Sequence, residues 1–257
     1  MPDETVLREV AEGIATLTLN NPKKRNALSV STMTALKETL DEIASDRSIR
    51  VVILRAYGPV FSSGHDLTEL TGKDENDYEV VFRCCAELME TVRKLPQPVI
   101  AQVDGLATAA GCQLVATCDL VVCSEGARFA TPGVKIGLFC TSPGVALARA
   151  VSQKKAMEML LTGTPLSAEE AEKAGLVNRI VPSEALQEAT LELAKQIAEA
   201  SSQTVSIGKE AFYRQVQMDR REAYDYTSKV MVENLLTDDA EEGIGAFLEK
   251  REPKWKH

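Results

Sequence analysis

The residues best placed to do chemistry lie between 104 and 120, where the sequence reads DGLATAAGCQLVATCDL. Ala107, Thr108, Ala109, Ala110 and Gly111 carry almost no side chain, and they fall where a buried strand, PQPVIAQV, hands over to a helix. A helix N-terminus presents unpaired N–H groups and the positive end of the macrodipole, and small residues let a ligand come close to the backbone. Two readings stand: donors aimed at a developing anion, or a bare surface on which a neighbouring helix packs. The first polar side chain beyond this stretch is Gln113, a neutral amide without useful basicity. His65, in SSGHDL, is the one imidazole away from the C-terminus and titrates near neutral pH. It can act as an acid or base, or it can point away and contribute only its backbone. The six cysteines include no CxxC pair, and with two histidines they do not cluster as a zinc site. They read as core thiols suited to a reducing compartment. Cys140, Thr141 and Ser142 can line a pocket, but Cys140 has no visible base and reads as packing. Lys23, Lys24 and Arg25 form a basic turn, either solvated or turned toward phosphates.

Alternating strands and helices must position these groups. GIATLTLN (13–20) alternates as a strand. Residues 31–43 have helical periodicity with Ser29 or Ser31 as N-cap, and VVILRA (51–56) is a strand apolar on both faces. A Gly/Ser-rich loop (58–70) and a polar, mobile stretch (71–77) precede a helix from Tyr78 to Leu95, which Pro96 and Pro98 end. VIAQV (99–103), a helix over 107–118 and LVVCSE (120–125) follow, a strand–helix–strand alternation. Beyond about 144 only VNRIV (177–181) is strand-like, and 200–250 reads as three amphipathic helices. The 257 residues are 44% hydrophobic, enough for a sizeable core. A net charge of −9, from 29 basic and 38 acidic residues, argues against nucleic-acid or anionic-membrane partners. MPDETVLREV carries no targeting pattern, and no run approaches the ~20 apolar residues of a membrane span, so a soluble intracellular protein is expected.

NPKKRNALS, FSSGHDLTEL, PVIAQVDGLATAAGCQLVATCDLVV, FATPGVKIGL, AMEMLLTGTPLSAEEAEKAGLVNRIVP and EEGIGAFLEKREPKW occur in this order. Together they resemble the crotonase superfamily, the enoyl-CoA hydratase/isomerase family, over about residues 6–255. The resemblance implies an α/β crotonase (ClpP-like) fold, a spiral of ββα units with a helical C-terminal trimerisation region. The core would span 1–199 and the helical oligomerisation region 200–257.

By the same resemblance, the N–H groups of Ala110 and His65 form an oxyanion hole for a thioester enolate, each donor contributing ~3–4 kcal/mol. Hydratases of the family carry glutamates where Gln113 and Gly133 stand. A positioned acid or base is worth about 10²–10⁴-fold, so efficient hydration is not expected, and restoring both glutamates is expected to raise it. Lys24, Arg25, Ala27 and Leu28 would border the adenine and phosphates of coenzyme A. His65, Asp66, Leu67 and Thr68 would flank the pantetheine, with Asp66 ordering its loop and Thr68 standing where relatives often have lysine. Phe247 and Lys250 would reach a neighbouring subunit's coenzyme. No permanently bound cofactor is implied: a coenzyme A thioester is the substrate or ligand, and the assembly is a homotrimer or a dimer of trimers. The implied function is an acyl-CoA enzyme working through an enolate, an isomerase, lyase, decarboxylase or hydrolase. A non-catalytic acyl-CoA-binding protein and a residual hydratase of fatty acid metabolism are the alternatives. The implied location is the cytoplasm, or the mitochondrial matrix for a processed eukaryotic form.

Overall fold

The computed structural model describes residues 4–256. β1 (Val6–Ala11) and β2 (Ile14–Leu19) form an antiparallel hairpin turned by Glu12 and Gly13, both at positive φ. α1 (Val30–Ser45) is capped by Ser29, whose hydroxyl accepts from the N–H of Thr32, so Ser29 and not Ser31 is the N-cap. β3 (Val51–Ala56) has its first four residues buried, as a strand covered on both faces must.

From β3 onward a unit repeats. A strand in a first sheet is followed by a three-residue strand in a second sheet and then a helix. The units are β3, β4 (Val60–Ser62) and α2 (Glu75–Lys94); β5 (Val99–Val103), β6 (Leu106–Thr108) and α3 (Ala110–Thr117); β7 (Leu120–Ser124), β8 (Arg128–Ala130) and α4 (Thr141–Ala150). Then come α5 (Gln153–Thr162), β9 (Leu166–Ser167), α6 (Ala168–Ala174), β10 (Arg179–Val181) and α7 (Leu186–Ala198). α8 (Ser202–Gln215), α9 (Arg220–Leu235) and α10 (Asp238–Glu249) complete the described chain. The first sheet has the order β1-β2-β3-β5-β7-β10, parallel apart from the hairpin. The second has the order β4-β6-β8-β9, with only β9 antiparallel.

The main core fills the space between the two sheets and the helices α1 to α6. A smaller apolar cluster joins Leu186, Leu193 and Ala194 of α7 to Ile53, Ile100 and Val122 on the other face of the first sheet. None of the described helices is long and apolar enough to cross a membrane.

Three expectations need correction. The stretch 58–70 is not all loop, and 107–118 is not all helix, because β4 and β6 pair within them. The helix expected from Tyr78 begins earlier, at Glu75, inside the polar stretch 71–77. Asp74 accepts from the N–H of Asp77 there, and Glu75 and Asp77 complement the helix dipole. Finally, residues 128–130 and 166–167 are paired strands that the reading did not foresee.

Candidate active site

The N-terminus of α3 opens onto a cavity of about 480 Å³. Ala109, the residue before the helix, has φ 51° and ψ −120°, a conformation that costs a residue with a Cβ about 1–3 kcal/mol. Its N–H donates to the carbonyl of Ala130 at 2.9 Å, and its carbonyl accepts from the N–H of Gln113 at 3.0 Å. These two bonds hold the strained corner, and α3 starts with the N–H of Ala110 facing out. Gly64, at φ +87°, packs directly on this corner: a Cβ on it would stand 3.1 Å from the nitrogen of Ala110. That contact brings the His65 peptide against the helix start. Among the described residues neither the His65 N–H nor the Ala110 N–H has a hydrogen-bond acceptor, and both residues line the cavity. The two expected oxyanion donors therefore lie together.

A packing demand explains one residue of the bare stretch. Gly111 is small because Ser62 of β4 packs on it: a Cβ there would meet the Ser62 carbonyl oxygen at 2.6 Å. The packing partner is a strand and not the helix first considered. Ala109 and Ala110 face the cavity.

The His65 ring stands edge-on to Phe82, with centroids 5.5 Å apart, and its Nδ1 lies 3.5 Å from the carbonyl of Leu28. Burial pushes the imidazole below its usual pKa, with the Leu28 carbonyl pulling weakly the other way. At neutral pH His65 is uncharged. Cys140, Thr141 and Ser142 line the cavity as expected. Burial raises the Cys140 pKa, so the thiol is protonated at neutral pH, which agrees with a packing role.

The two glutamate-equivalent positions are not arranged as a pair at the wall. Gln113 is buried but does not line the cavity; its Oε1 accepts from Cys85 Sγ of α2 at 3.8 Å. One turn into α3, its side chain points at α2 and away from the space in front of Ala110. Gly133 does line the cavity, yet a Cβ there would sit 2.1 Å from the Leu138 carbonyl oxygen and 2.7 Å from Cys140 Sγ. The segment 138–140 fills the space that a side chain at 133 would use.

The loop residues assigned to the coenzyme lie beside the site. The carbonyl of Arg25 accepts from Ser63 N–H at 3.0 Å, and Leu28 N–H donates to the Gly64 carbonyl at 2.7 Å, so loop 24–28 is fastened to loop 63–66. Lys24 Nζ pairs with Asp66 Oδ2 at 2.9 Å, while the lysine side chain stays 61% exposed. Asp66 also accepts from the Thr68 hydroxyl and N–H, which together with Lys24 hold its pKa below the usual carboxylate range. These bonds tie Asp66 to the start of its own loop and to loop 24–28. Ala27 and Leu28 are buried, while Arg25 and Thr68 are exposed. Of the coenzyme set only His65, Leu67 and Ala110 line the cavity. Phe247 is 81% exposed at the end of α10, and Lys250 caps that helix at φ 57°. Neither reaches the cavity of its own chain.

The sequence reading missed Phe82, Lys135, Leu138 and Phe139 at the wall. It also missed Asn26, a buried residue at φ 51° whose amide donates to the Tyr57 and Val60 carbonyls and so locks loop 24–28 to the turn before β4. Lys135 and Leu138 belong to motif stretches already singled out. Phe82 carries no local signal, because only the packing of α2 brings it to the site.

Comparison with known proteins agrees with this architecture. The family model for enoyl-CoA hydratase/isomerase matches residues 9–257. The human mitochondrial enoyl-CoA hydratase domain-containing protein 3 is 51% identical over 257 residues, covering 100% of this chain and 84% of that protein. A probable enoyl-CoA hydratase of Rhizobium meliloti is 34% identical over 100% of both chains. The crystal structure of the human protein superposes with a TM-score of 0.96 at 50% identity, covering 98% of this chain and 100% of that one. An enoyl-CoA hydratase from Mycobacterium smegmatis superposes at 0.97 with 45% identity over 99% and 100%. The crotonase fold, with its ββα spiral and helical C-terminal region, is thus shared with these structures, and the chain belongs to the enoyl-CoA hydratase/isomerase family.

Proposed function

We propose that the protein binds acyl-CoA thioesters and stabilises a thioester enolate between the N–H groups of Ala110 and His65, and that efficient enoyl hydration is not its reaction. The observation that supports this reading most is the composition of the cavity wall. Among the described residues, two N–H groups without an acceptor lie at it, and no Asp or Glu lines it. An oxyanion hole selects for charge that develops on the thioester oxygen, while the carboxylate pair that activates a water for addition in the family's hydratases is missing from these walls. His65 is the one side chain in the cavity able to accept a proton at neutral pH. Coenzyme A enters as part of the substrate, along the loops 24–28 and 65–68.

Calorimetry with acetyl-, butyryl- and crotonyl-CoA tests the reading. Micromolar to sub-millimolar binding is expected for the native protein and for His65→Ala, which keeps its backbone donor. Absence of binding to all three thioesters at millimolar concentration would refute it. Binding without turnover of any acyl-CoA would favour the non-catalytic alternative.

We assign residues 200–257 to oligomerisation. Leu236, Phe247 and Leu248 are 81%, 81% and 74% exposed, and Met231, Val232 and Ile244 lie bare on the same helices. A monomer would present this apolar surface to water. Light scattering is expected to give the mass of a trimer or hexamer at micromolar concentration; a monomer mass would overturn the assignment. The vertebrate relatives are named as mitochondrial proteins. Those names favour the matrix for a processed eukaryotic form of this chain, and the cytoplasm stands for a bacterial one.

A further inference from the structure

Little apolar contact holds α10 to its own chain. Only Asp239 and Ala246 of this helix are buried, while Ile244, Phe247 and Leu248 lie bare, and neither apolar cluster includes a residue of α10. The segment that follows the helix is what fixes it. Lys250 caps α10 in the left-handed conformation, and the Arg251 N–H donates to the Ala246 carbonyl at 3.0 Å, so the chain turns back. Residues 251–256 then run along α10 toward its start and are fastened at successive levels. The Arg251 guanidinium grips Glu242 with two bonds, at 2.6 and 2.9 Å, and the Lys254 N–H donates to the same carboxylate at 2.7 Å. The Trp255 ring lies against Gly243: a Cβ there would stand 3.1 Å from its Cη2 and Cζ3. The Lys256 N–H donates to Asp239 at 2.7 Å.

Two of these fastenings reach beyond α10. Trp255 Nε1 donates at 2.7 Å to the carbonyl of Glu199, the residue that closes α7. Asp239 also accepts, at 2.6 Å, from the hydroxyl of Ser201, the N-cap of α8. The segment thus ties α10 to the corner between α7 and α8, and α7 packs on the first sheet. Gly243 shows that the seat of the indole ring is built in. Glycine is a poor residue for the middle of a helix, and here the ring occupies the space that an alanine methyl would need.

We propose that residues 251–256 are a latch that sets the association of this chain with a second copy of itself. The proposal rests on the oligomerisation reading above. With the latch docked, α10 holds Ile244, Phe247 and Leu248 at one fixed angle, and association buries that face without first having to order the helix. With the latch released, α10 keeps few contacts of its own, and the entropy of ordering it falls on the association step. The coupling is reciprocal: docking the latch favours assembly, and assembly favours the docked latch. The latch acts by orienting α10 and needs no contact with the partner copy.

The test follows the mass of the full chain by light scattering over a dilution series, at a temperature where circular dichroism shows the helices intact. Trp255→Ala is expected to raise the concentration of half-dissociation about tenfold, the size of one lost hydrogen bond with its ring contact. Gly243→Ala is expected to raise it severalfold, because the ring must yield to the new methyl. Trp255 is the chain's single tryptophan, so a red shift of its emission in Gly243→Ala reports that displacement. In the Trp255→Ala background the same glycine change is expected to do nothing or to strengthen assembly, since alanine is the better helix former once the ring is gone. If the native chain assembles and Trp255→Ala dissociates at the same concentration, the latch is overturned while the oligomerisation reading stands. If Gly243→Ala weakens assembly equally with and without Trp255, the glycine acts at the interface itself and the latch is again overturned. A native chain that is monomeric throughout overturns both. Should Trp255→Ala fail to fold, Gly243→Ala alone decides, and an unchanged concentration of half-dissociation overturns the latch.

Discussion

Crotonyl-CoA hydration by the native protein is expected to run at least about 10³-fold below that of a family member with both glutamates, from the size of acid–base catalysis. The geometry also revises what restoring the carboxylates would do. By sequence alone, Gln113→Glu with Gly133→Glu puts back a missing pair. In the fold, a Cβ at 133 collides at 2.1 Å with the Leu138 carbonyl oxygen, a backbone atom that cannot swing aside. The φ of Gly133 is not positive, so the obstacle is space and not backbone conformation. Gln113, for its part, faces Cys85 of α2. Gly133→Glu is therefore expected to push segment 138–140 outward and lower stability by about 1–3 kcal/mol, as overpacking does. The double variant is expected to stay within about tenfold of native hydration, because neither carboxylate starts from a position facing one water. Loss of enoyl absorbance and thermal melts of all four proteins measure both effects. A rise of a hundredfold or more in the double variant, with folding intact, would show that the segment yields and that the pair can be rebuilt.

Lys209→Ala is expected to destabilise the protein by about 3–5 kcal/mol, the usual cost of stripping one partner from a buried ion pair. Lys209 of α8 reaches into the core with its side chain 7% exposed. Its Nζ donates to Asp119 Oδ2 at 2.7 Å and to the carbonyls of Gln97 and Val92 at 3.0 and 3.3 Å. Asp119 also accepts from the Tyr213 hydroxyl and from the N–H of Val99, each at 2.7 Å. Burial pushes the ammonium pKa below its usual value, and the pull of Asp119 only partly offsets this. Alanine here leaves two carbonyls without their donor and a carboxylate short of its cation, just where α2 ends and β5 begins. The melting temperature is expected to fall by about 10 °C at this chain length. Asp119→Asn combined with Lys209→Ala should cost less than the sum of the two single changes, since the groups share one network. A loss under about 1 kcal/mol for Lys209→Ala would show that water replaces the ammonium and that α8 is held by apolar packing alone.

The sequence by itself determined what depends on near neighbours. The continuous apolar run of β3, the Ser29 cap and the Pro stop after α2 are local preferences of a few adjacent residues, and each appears close to where the pattern put it. A helix start with accessible amides was also legible from the small residues after a buried strand, whereas the pairing of Ala110 with His65 came from the resemblance to the family and not from residue types. Composition likewise showed that Gln113 and Gly133 carry no carboxylate. Only the tertiary structure decided the rest. β4, β6 and β8 are three residues each, too short to show alternation, and they exist through pairing with one another across the spiral. That Lys24 pairs with Asp66, 42 residues away, and that Gln113 meets Cys85 of another helix follow from the fold and not from neighbours in sequence. The absence of a side chain at 133 is visible in one letter. That the space is already occupied, by a carbonyl and a thiol five and seven residues further on, follows from how the segment 133–140 folds back on itself, and only close packing in three dimensions fixes that.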